Sequence, residues 1–314
     1  MANLPEKLQT LFARRSVRAL SAVFCGLAVL AAVFLCRRPV VLVTDSAFNA
    51  FYGKQRAAVK KLGLSAAFFR QVKTALVAES AAPDLVSVAA RAASKRPHAV
   101  FFPYRYRDGA LRYITDYPDV SVAVLAGREQ PLETAVPDPA VSAGAPAGPA
   151  WYSTDGLTDF YRGGFCAGLL AASSGEILVQ AGTVTTEQRS ALLQGIEESA
   201  GPEAVSRVRF TNRDFSEEVA CAVIASGGDV FFKRESAVPF ILYSWLDPAA
   251  VPVEAAVIFS DSPWEALPEA LKLLEKGQFE GVIPSVPWVS GSKTEGISAG
   301  RIKKLNFSPE TTDN

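Results

Sequence analysis

The stretch LTDFYRGGFCAGLLAASSGEILVQAG, Leu157 to Gly182, decides the architecture. Its first part, Leu157 to Ser173, reads as a long helix with Gly163, Gly164 and Gly168 inside it. A glycine within a helix costs about 1 kcal/mol relative to alanine, so three of them point to close packing against another backbone. After Gly175 comes a short apolar run, Ile177 to Gln180, which reads as a buried strand. The glycine-rich helix thus stands between two lengths of chain, and both show the same rhythm.

Upstream, Val40-Val41-Leu42-Val43 is a buried strand, and Phe51 to Leu62 has helical spacing with a basic outer face. Ala66 to Phe69 reads as a second strand, Pro83 to Ser94 as a helix and His98 to Pro103 as a third strand. A helix from Ala110 to Asp116 and a strand from Val120 to Leu125 follow. Pro131 to Pro149 holds five prolines and no period, hence a loop, after which Trp151 to Thr154 restarts as a strand. Downstream of Gln180 the reading is helix Thr186 to Glu198, strand Arg207 to Phe210, helix Ser216 to Ala225, and strands Asp229 to Phe232, Ile241 to Tyr243 and Ala256 to Phe259. A helix from Trp264 to Lys276 precedes a strand at Gly281 to Ile283. Parallel strands joined by helices bury both sheet faces, which is why these strands are continuous apolar runs. The fold class is α/β, with two Rossmann-like lobes: 39–173 as the first, 174–260 as the second, and 261–300 returning to the first. The chain is expected to cross near Ser173 and again near Ser260, and 301–314 reads as a polar tail.

Ala19 to Cys36 carries no charge, lies behind Arg14, Arg15 and Arg18, and is followed by Arg37-Arg38-Pro39. It reads as a membrane segment at the lower limit of length for spanning about 30 Å of hydrocarbon, with 1–18 as a basic cytoplasmic leader. Retention as an anchor, lipidation at Cys36 and cleavage are all open, although Leu35 fits a lipidation site poorly.

The whole chain of 314 residues is 49% hydrophobic and 20% charged, which excludes a disordered protein. Its 32 basic and 32 acidic residues cancel, so nothing in its net charge would attract nucleic acid. A single histidine, His98, and four scattered cysteines remove most metal and histidine-based chemistry, and there is no G-x-S-x-G elbow or nucleotide fingerprint. His98 reads as a strand-entry residue, and Cys166 and Cys221 read as small core residues. No enzyme, metal or cofactor is expected.

Two α/β lobes behind an export or anchor segment resemble a type I periplasmic binding protein. More narrowly, VVLVTDSAFN (Val40 to Asn49), FYRGGFCAGLLA (Phe160 to Ala171), EILVQAG (Glu176 to Gly182), KGQFEG (Lys276 to Gly281) and Glu295-Gly296-Ile297 resemble the basic-membrane-protein or nucleoside-binding lipoprotein family. The resemblance implies an extracytoplasmic substrate-binding component of an ABC importer, a permease partner in the cytoplasmic membrane, and a nucleoside before a sugar as ligand. The other reading is a membrane-anchored sensor or scaffold of the same fold without ligand binding.

In open α/β sheets ligands bind beyond the carboxyl ends of the strands. Those ends supply Asp45, Phe48, Asn49, Tyr104 with Arg105, Asp155, Lys233, Trp245 and Asp261, with Trp264 close behind. Carboxylates accept hydrogen bonds from ring hydroxyls while aromatic faces cover an apolar ring. Asp45 and Asp155 are equally placed to cap the following helices, Phe48 and Trp245 to pack a core, and Lys233 to sit in a solvated loop.

Overall fold

The computed structural model describes residues 22–127, 148–171, 175–180, 184–211, 219–224, 239–243, 255–289 and 297–307. Residues 22–36 form helix α1, whose side chains are largely exposed. Among the described residues no helix is long and apolar enough to cross a membrane. Arg14, Arg15 and Arg18 lie outside the described residues, as do most of the loop at 131–149 and the strand expected at Asp229 to Phe232.

The first sheet takes its strands in the order β11-β5-β4-β3-β1-β2. Here β1 is Val40–Asp45, β2 Val72–Val77, β3 Ala99–Pro103, β4 Ser121–Ala126, β5 Ala150–Thr154 and β11 Glu280–Ile283, and every pairing is parallel. Every residue of β1 is buried because both faces are covered. Val40 and Leu42 join Phe101, Leu125 and Tyr152 on one face, under Trp264, Leu267 and Leu271. Val41 and Val43 join Phe102, Val124 and Trp151 on the other, under Val86, Ala90, Ala110 and Tyr113. Burying each large apolar side chain stabilises by about 1.5–3 kcal/mol, and strict alternation delivers that gain on both faces. The covering helices are α2 (Ser46–Tyr52), α3 (Lys54–Ala67), α4 (Pro83–Ala93) and α5 (Arg107–Asp116), together with the later helix Pro263–Glu275 that carries Trp264, Leu267 and Leu271.

The second sheet has the order β12-β10-β9-β8-β6-β7. Its strands are β6 Glu176–Gln180, β7 Val208–Thr211, β8 Val219–Ile224, β9 Phe240–Tyr243, β10 Ala255–Ser260 and β12 Val286–Val289, with β12 alone antiparallel. Within each sheet the first five strands follow the same 2-1-3-4-5 succession, so the second repeats the first, and each has one added edge strand, β11 in the first and β12 in the second. Helices α6 (Gly156–Ala171) and α7 (Thr186–Ala200) cover one face, and α7 starts on a capping box between Thr185 and Gln188. The short α8 (Pro202–Val205) follows α7. Helix α9 (Pro263–Glu275) starts at the Ser262 cap, and α10 is Ala299–Ile302.

The structure corrects several expectations. Helix α6 packs Phe160, Tyr161, Cys166 and Ala167 into the second core, so the chain leaves the first sheet at Asp155, not near Ser173. A second crossing follows Ser260, and α9 returns to the first core. A third lies between β11 and β12, so the 261–300 segment is shared between the lobes. Part of the supposed polar tail is docked: buried Arg162 donates through Nε to the Leu305 carbonyl at 2.8 Å and through Nη2 to that of Lys303 at 3.1 Å. Leu305 and Phe307 pack against the second core.

Two elements differ in type. Ala66-Ala67 extend α3, because alanines are strong helix formers, and the chain then turns at Phe69 with φ 49° before β2 begins at the β-branched Val72. Val219–Ile224 is a strand between β6 and β9, since this apolar run offers a helix no polar face.

Candidate functional site

The first lobe presents its strand ends in a row. β1 and β3 are neighbours, and the chain leaves them toward opposite sides, so the crevice beyond their carboxyl ends is a topological switch point. Asp45 closes β1 there and is 1% exposed. Its Oδ1 accepts the Phe48 amide at 2.7 Å, which caps α2. Its Oδ2 accepts Arg105 Nη1 at 2.7 Å and the Tyr106 hydroxyl at 3.0 Å. Burial alone would raise the Asp45 carboxyl, but the Phe48 amide, Arg105 and Tyr106 outweigh it and hold it below the ordinary carboxylate value. Burial and the Asp45 charge push the Tyr106 hydroxyl up to about 12. Asp45 therefore caps a helix and also fixes a guanidinium, and Arg105, 47% exposed, is the group displayed outward.

Asn49 donates through Nδ2 to Thr44 Oγ1 at 3.2 Å, which ties α2 back onto β1. Phe48 stacks on Tyr52 with ring centres 5.5 Å apart and packs against the first core. Tyr104 sits edge-on to Trp151 at 6.4 Å with the Arg107 guanidinium 4.8 Å from its ring centre. Asp155, at the end of β5, accepts the Thr158 amide at 2.9 Å, so it caps α6 at the first crossing.

Asp261 comes from the other lobe. It follows β10 and is half-buried, and a Cβ added to Gly127 at the end of β4 would lie 3.5 Å from its Oδ2. The rim thus runs Asp45, Arg105, Gly127 with Asp261, and Asp155 across the ends of β1, β3, β4 and β5, about 5 Å per strand. The structure does not bring Trp264 to this rim: it is 1% exposed inside the first core. Lys233 and Trp245 lie outside the described residues.

Sequence reasoning missed Tyr106, whose only local signal is its place beside Tyr104-Arg105. It also missed a buried carboxylate, Glu265, in the first turn of α9. Glu265 accepts from the Tyr52 hydroxyl at 3.2 Å and from Arg56 at 3.0 Å, and it pairs with Lys60. Burial and the Glu265 charge drive the Tyr52 hydroxyl well above its ordinary value. At the crossings, Asp159, fully buried on α6, accepts the Ser285 amide at 3.1 Å and the Ser285 hydroxyl, clamping the third crossing to the second lobe.

Chemically, the rim offers hydrogen-bond donors from Arg105 and carboxylates in fixed positions, which suits a polar, hydroxylated molecule. Among the described residues no group of three or more His, Cys, Asp or Glu is placed to hold a metal ion. Burial pushes the Cys166 thiol up to about 12, which leaves it an unreactive core residue.

No protein-family model matches the sequence. No curated protein matches it either. Solved structures do. An ABC-transporter solute-binding protein from Conexibacter woesei is similar with a TM-score of 0.51 at 16% identity, over 85% of this chain and 93% of that one. A transcriptional activator of the comK gene from Bacillus halodurans has a TM-score of 0.49 at 12% identity, over 85% and 95%. An ABC-transporter periplasmic solute-binding protein from Actinobacillus succinogenes, with D-allose bound, has 0.49 at 8% identity, over 83% and 100%. The first likeness shows that this chain shares the fold of that solute-binding protein.

Proposed function

We propose that this chain is the membrane-tethered, extracytoplasmic solute-binding component of an ABC-type importer. Its lobes close on a small hydroxylated ligand, a nucleoside before a sugar. One observation carries the reading: the carboxyl ends of the first sheet, with Arg105 fixed by Asp45, stand on one rim with Asp261 from the second sheet. A ligand touching Arg105 and Asp261 together bonds most fully when the lobes are shut, so differential contact drives closure about the three crossings. The preference for a nucleoside rests on the resemblance of Val40 to Asn49 and Phe160 to Ala171 to the basic-membrane-protein family. The tether is the apolar stretch 19–36, where Val23, Phe24, Leu27 and Leu30 of α1 stand at least half exposed, as lipid-facing residues would. Cys36 is the site for a lipid if the segment is processed.

Titration calorimetry of the purified chain against purine and pyrimidine nucleosides and common sugars tests this. Arg105→Ala and Asp261→Ala should each lose a charged hydrogen bond of about 1.5–3 kcal/mol, or roughly 10- to 150-fold in affinity, without unfolding. Silence with every nucleoside and sugar would transfer the chain to the second reading, a membrane-anchored sensor or scaffold of the same fold. One observation favours that alternative: the Asp45 carboxylate is already engaged by the Phe48 amide, Arg105 and Tyr106 within its own lobe.

A further inference from the structure

Helix α1 ends at residue 36 and β1 begins at Val40, so only Arg37, Arg38 and Pro39 separate an apolar helix from the first strand. Three extended residues reach about 10 Å. The join is also braced by side chains. Phe34 meets the Phe69 ring edge-on at 5.7 Å, and Arg37 lies 5.9 Å from the centre of that ring and donates to the Phe69 carbonyl at 3.5 Å. Arg70 donates to the Arg38 carbonyl at 3.4 Å. Phe69 holds its left-handed φ of 49° at this contact, so the turn that ends α3 is also the seat of α1.

The same end of the first sheet carries Lys95 and Arg96, both exposed, in the loop before β3. Since β2, β1 and β3 are adjacent, five basic residues (Arg37, Arg38, Arg70, Lys95, Arg96) gather beneath strands that span about 10 Å. The carboxylate nearest Arg70, Glu275, is 3.9 Å away and engaged by His98 at 3.0 Å. Asp119 and Glu280 stand beneath β4 and β11, farther across the sheet. Burial and the Arg37 charge hold the Arg70 guanidinium below its ordinary value, as crowding of like charges requires.

We propose that this basic half of the base rests on the anionic headgroups of the bilayer that receives α1. In this resting state the Asp45 and Arg105 ends of β1 and β3 are turned away from the membrane, and handing a ligand to a permease requires the base to lift off the headgroups. The short braced join cannot hold the base more than about 10 Å from the helix end, and the charge found there is the sign that phospholipid headgroups attract. The ligand rim stands about 20 Å higher, one strand length away. This inference rests on the tethered reading above.

The test uses the full chain reconstituted into vesicles of pure phosphatidylcholine, or of phosphatidylcholine with 30% phosphatidylglycerol. Two readouts are taken: flotation after a high-salt wash, and backbone hydrogen exchange at 37–39, 68–71 and 94–98. The chain should float with both vesicles, and those three segments should exchange several-fold more slowly on the anionic one, an effect abolished by 0.5 M salt. Each basic side chain near the surface contributes about fivefold, so the exposed-loop variant K95E/R96E should erase the protection while still floating. Flotation with equal exchange on both vesicles would overturn the docked orientation and leave the tether standing. Failure to float would overturn both.

Discussion

Helix α6 meets α7 through glycines, and replacing one by alanine should be severe for a calculable reason. A Cβ built on Gly164 lies 1.9 Å from the Leu192 carbonyl oxygen and 2.8 Å from its carbon. Ordinary carbon-to-oxygen contact is about 3.3 Å or more, so the shortfall is roughly 1.4 Å. Leu192 is in the middle of α7, and a backbone oxygen has no rotamer into which to retreat. The helices must therefore part by about 1 Å, which forfeits a quarter to a half of each dispersion contact across the seam. Gly195 faces the same limit from the other helix, since its Cβ would lie 2.1 Å from the Tyr161 carbonyl oxygen. Overpacking of this kind costs about 3 kcal/mol, and the gain in helix propensity returns about 1, so Gly164→Ala should destabilise by about 2 kcal/mol or more. The control is Gly63→Ala in α3, where nothing lies within 4 Å of the added Cβ. The identical chemical change there should stabilise by up to about 1 kcal/mol. Thermal unfolding of the purified protein should show a fall of roughly 4–8 °C for Gly164→Ala and a rise of roughly 2–4 °C for Gly63→Ala. If Gly164→Ala melts at or above the parent temperature, the close backbone seam is not what the glycines serve.

Three further outcomes are expected. Asp45→Asn keeps a capping oxygen but loses the charge that Arg105 meets, costing about 1.5 kcal/mol, the low end for a charged hydrogen bond because Arg105 is 47% exposed. Since the folded carboxyl lies below its unfolded value near 3.9, that stabilisation is complete above the unfolded value and lost as pH falls through the folded one. Parent and variant stabilities should hence converge only below about pH 4, and convergence at neutral pH in a denaturation series would contradict the pairing. Asp159→Ala strips the buried acceptor from Ser285 and should cost about 1.5–3 kcal/mol, with small-angle scattering showing a wider range of lobe arrangements. Trp264→Ala should lose about 3–5 kcal/mol of stability, the range for an emptied aromatic core site, and an unchanged melting temperature would move Trp264 out of the core.

The α/β class, the strand at Val40 to Val43 and the helix at Pro83 to Ser94 were legible because each is written locally, in a period or a cap. The close approach of another backbone was legible as well: Gly164 and Gly168 mark it within one helix, and a glycine run there has few other uses. Short apolar runs were not. Ala66 to Phe69 and Val219 to Ile224 have no polar face to set a period, so only their neighbours settle helix or strand. The edge strand Val286–Val289 went unread because it is a four-residue piece interrupted by Pro287.

The candidate rim divides the same way. Strand ends named Asp45, Asp155 and Asp261 as candidates because carboxyl ends of parallel strands are where loops gather. What Asp45 does depends on Arg105 and Tyr106, 60 and 61 residues further along, which arrive only because β3 pairs beside β1. Trp264 stands a few residues after a strand end in sequence and inside the core in space, because α9 folds its apolar face onto the first sheet. By itself the sequence determined the repeating units, since propensity, period and capping act over a few residues. Tertiary structure alone decided which lobe each unit joined and which polar groups met, since both depend on contacts between residues far apart in the chain, and no local pattern encodes those.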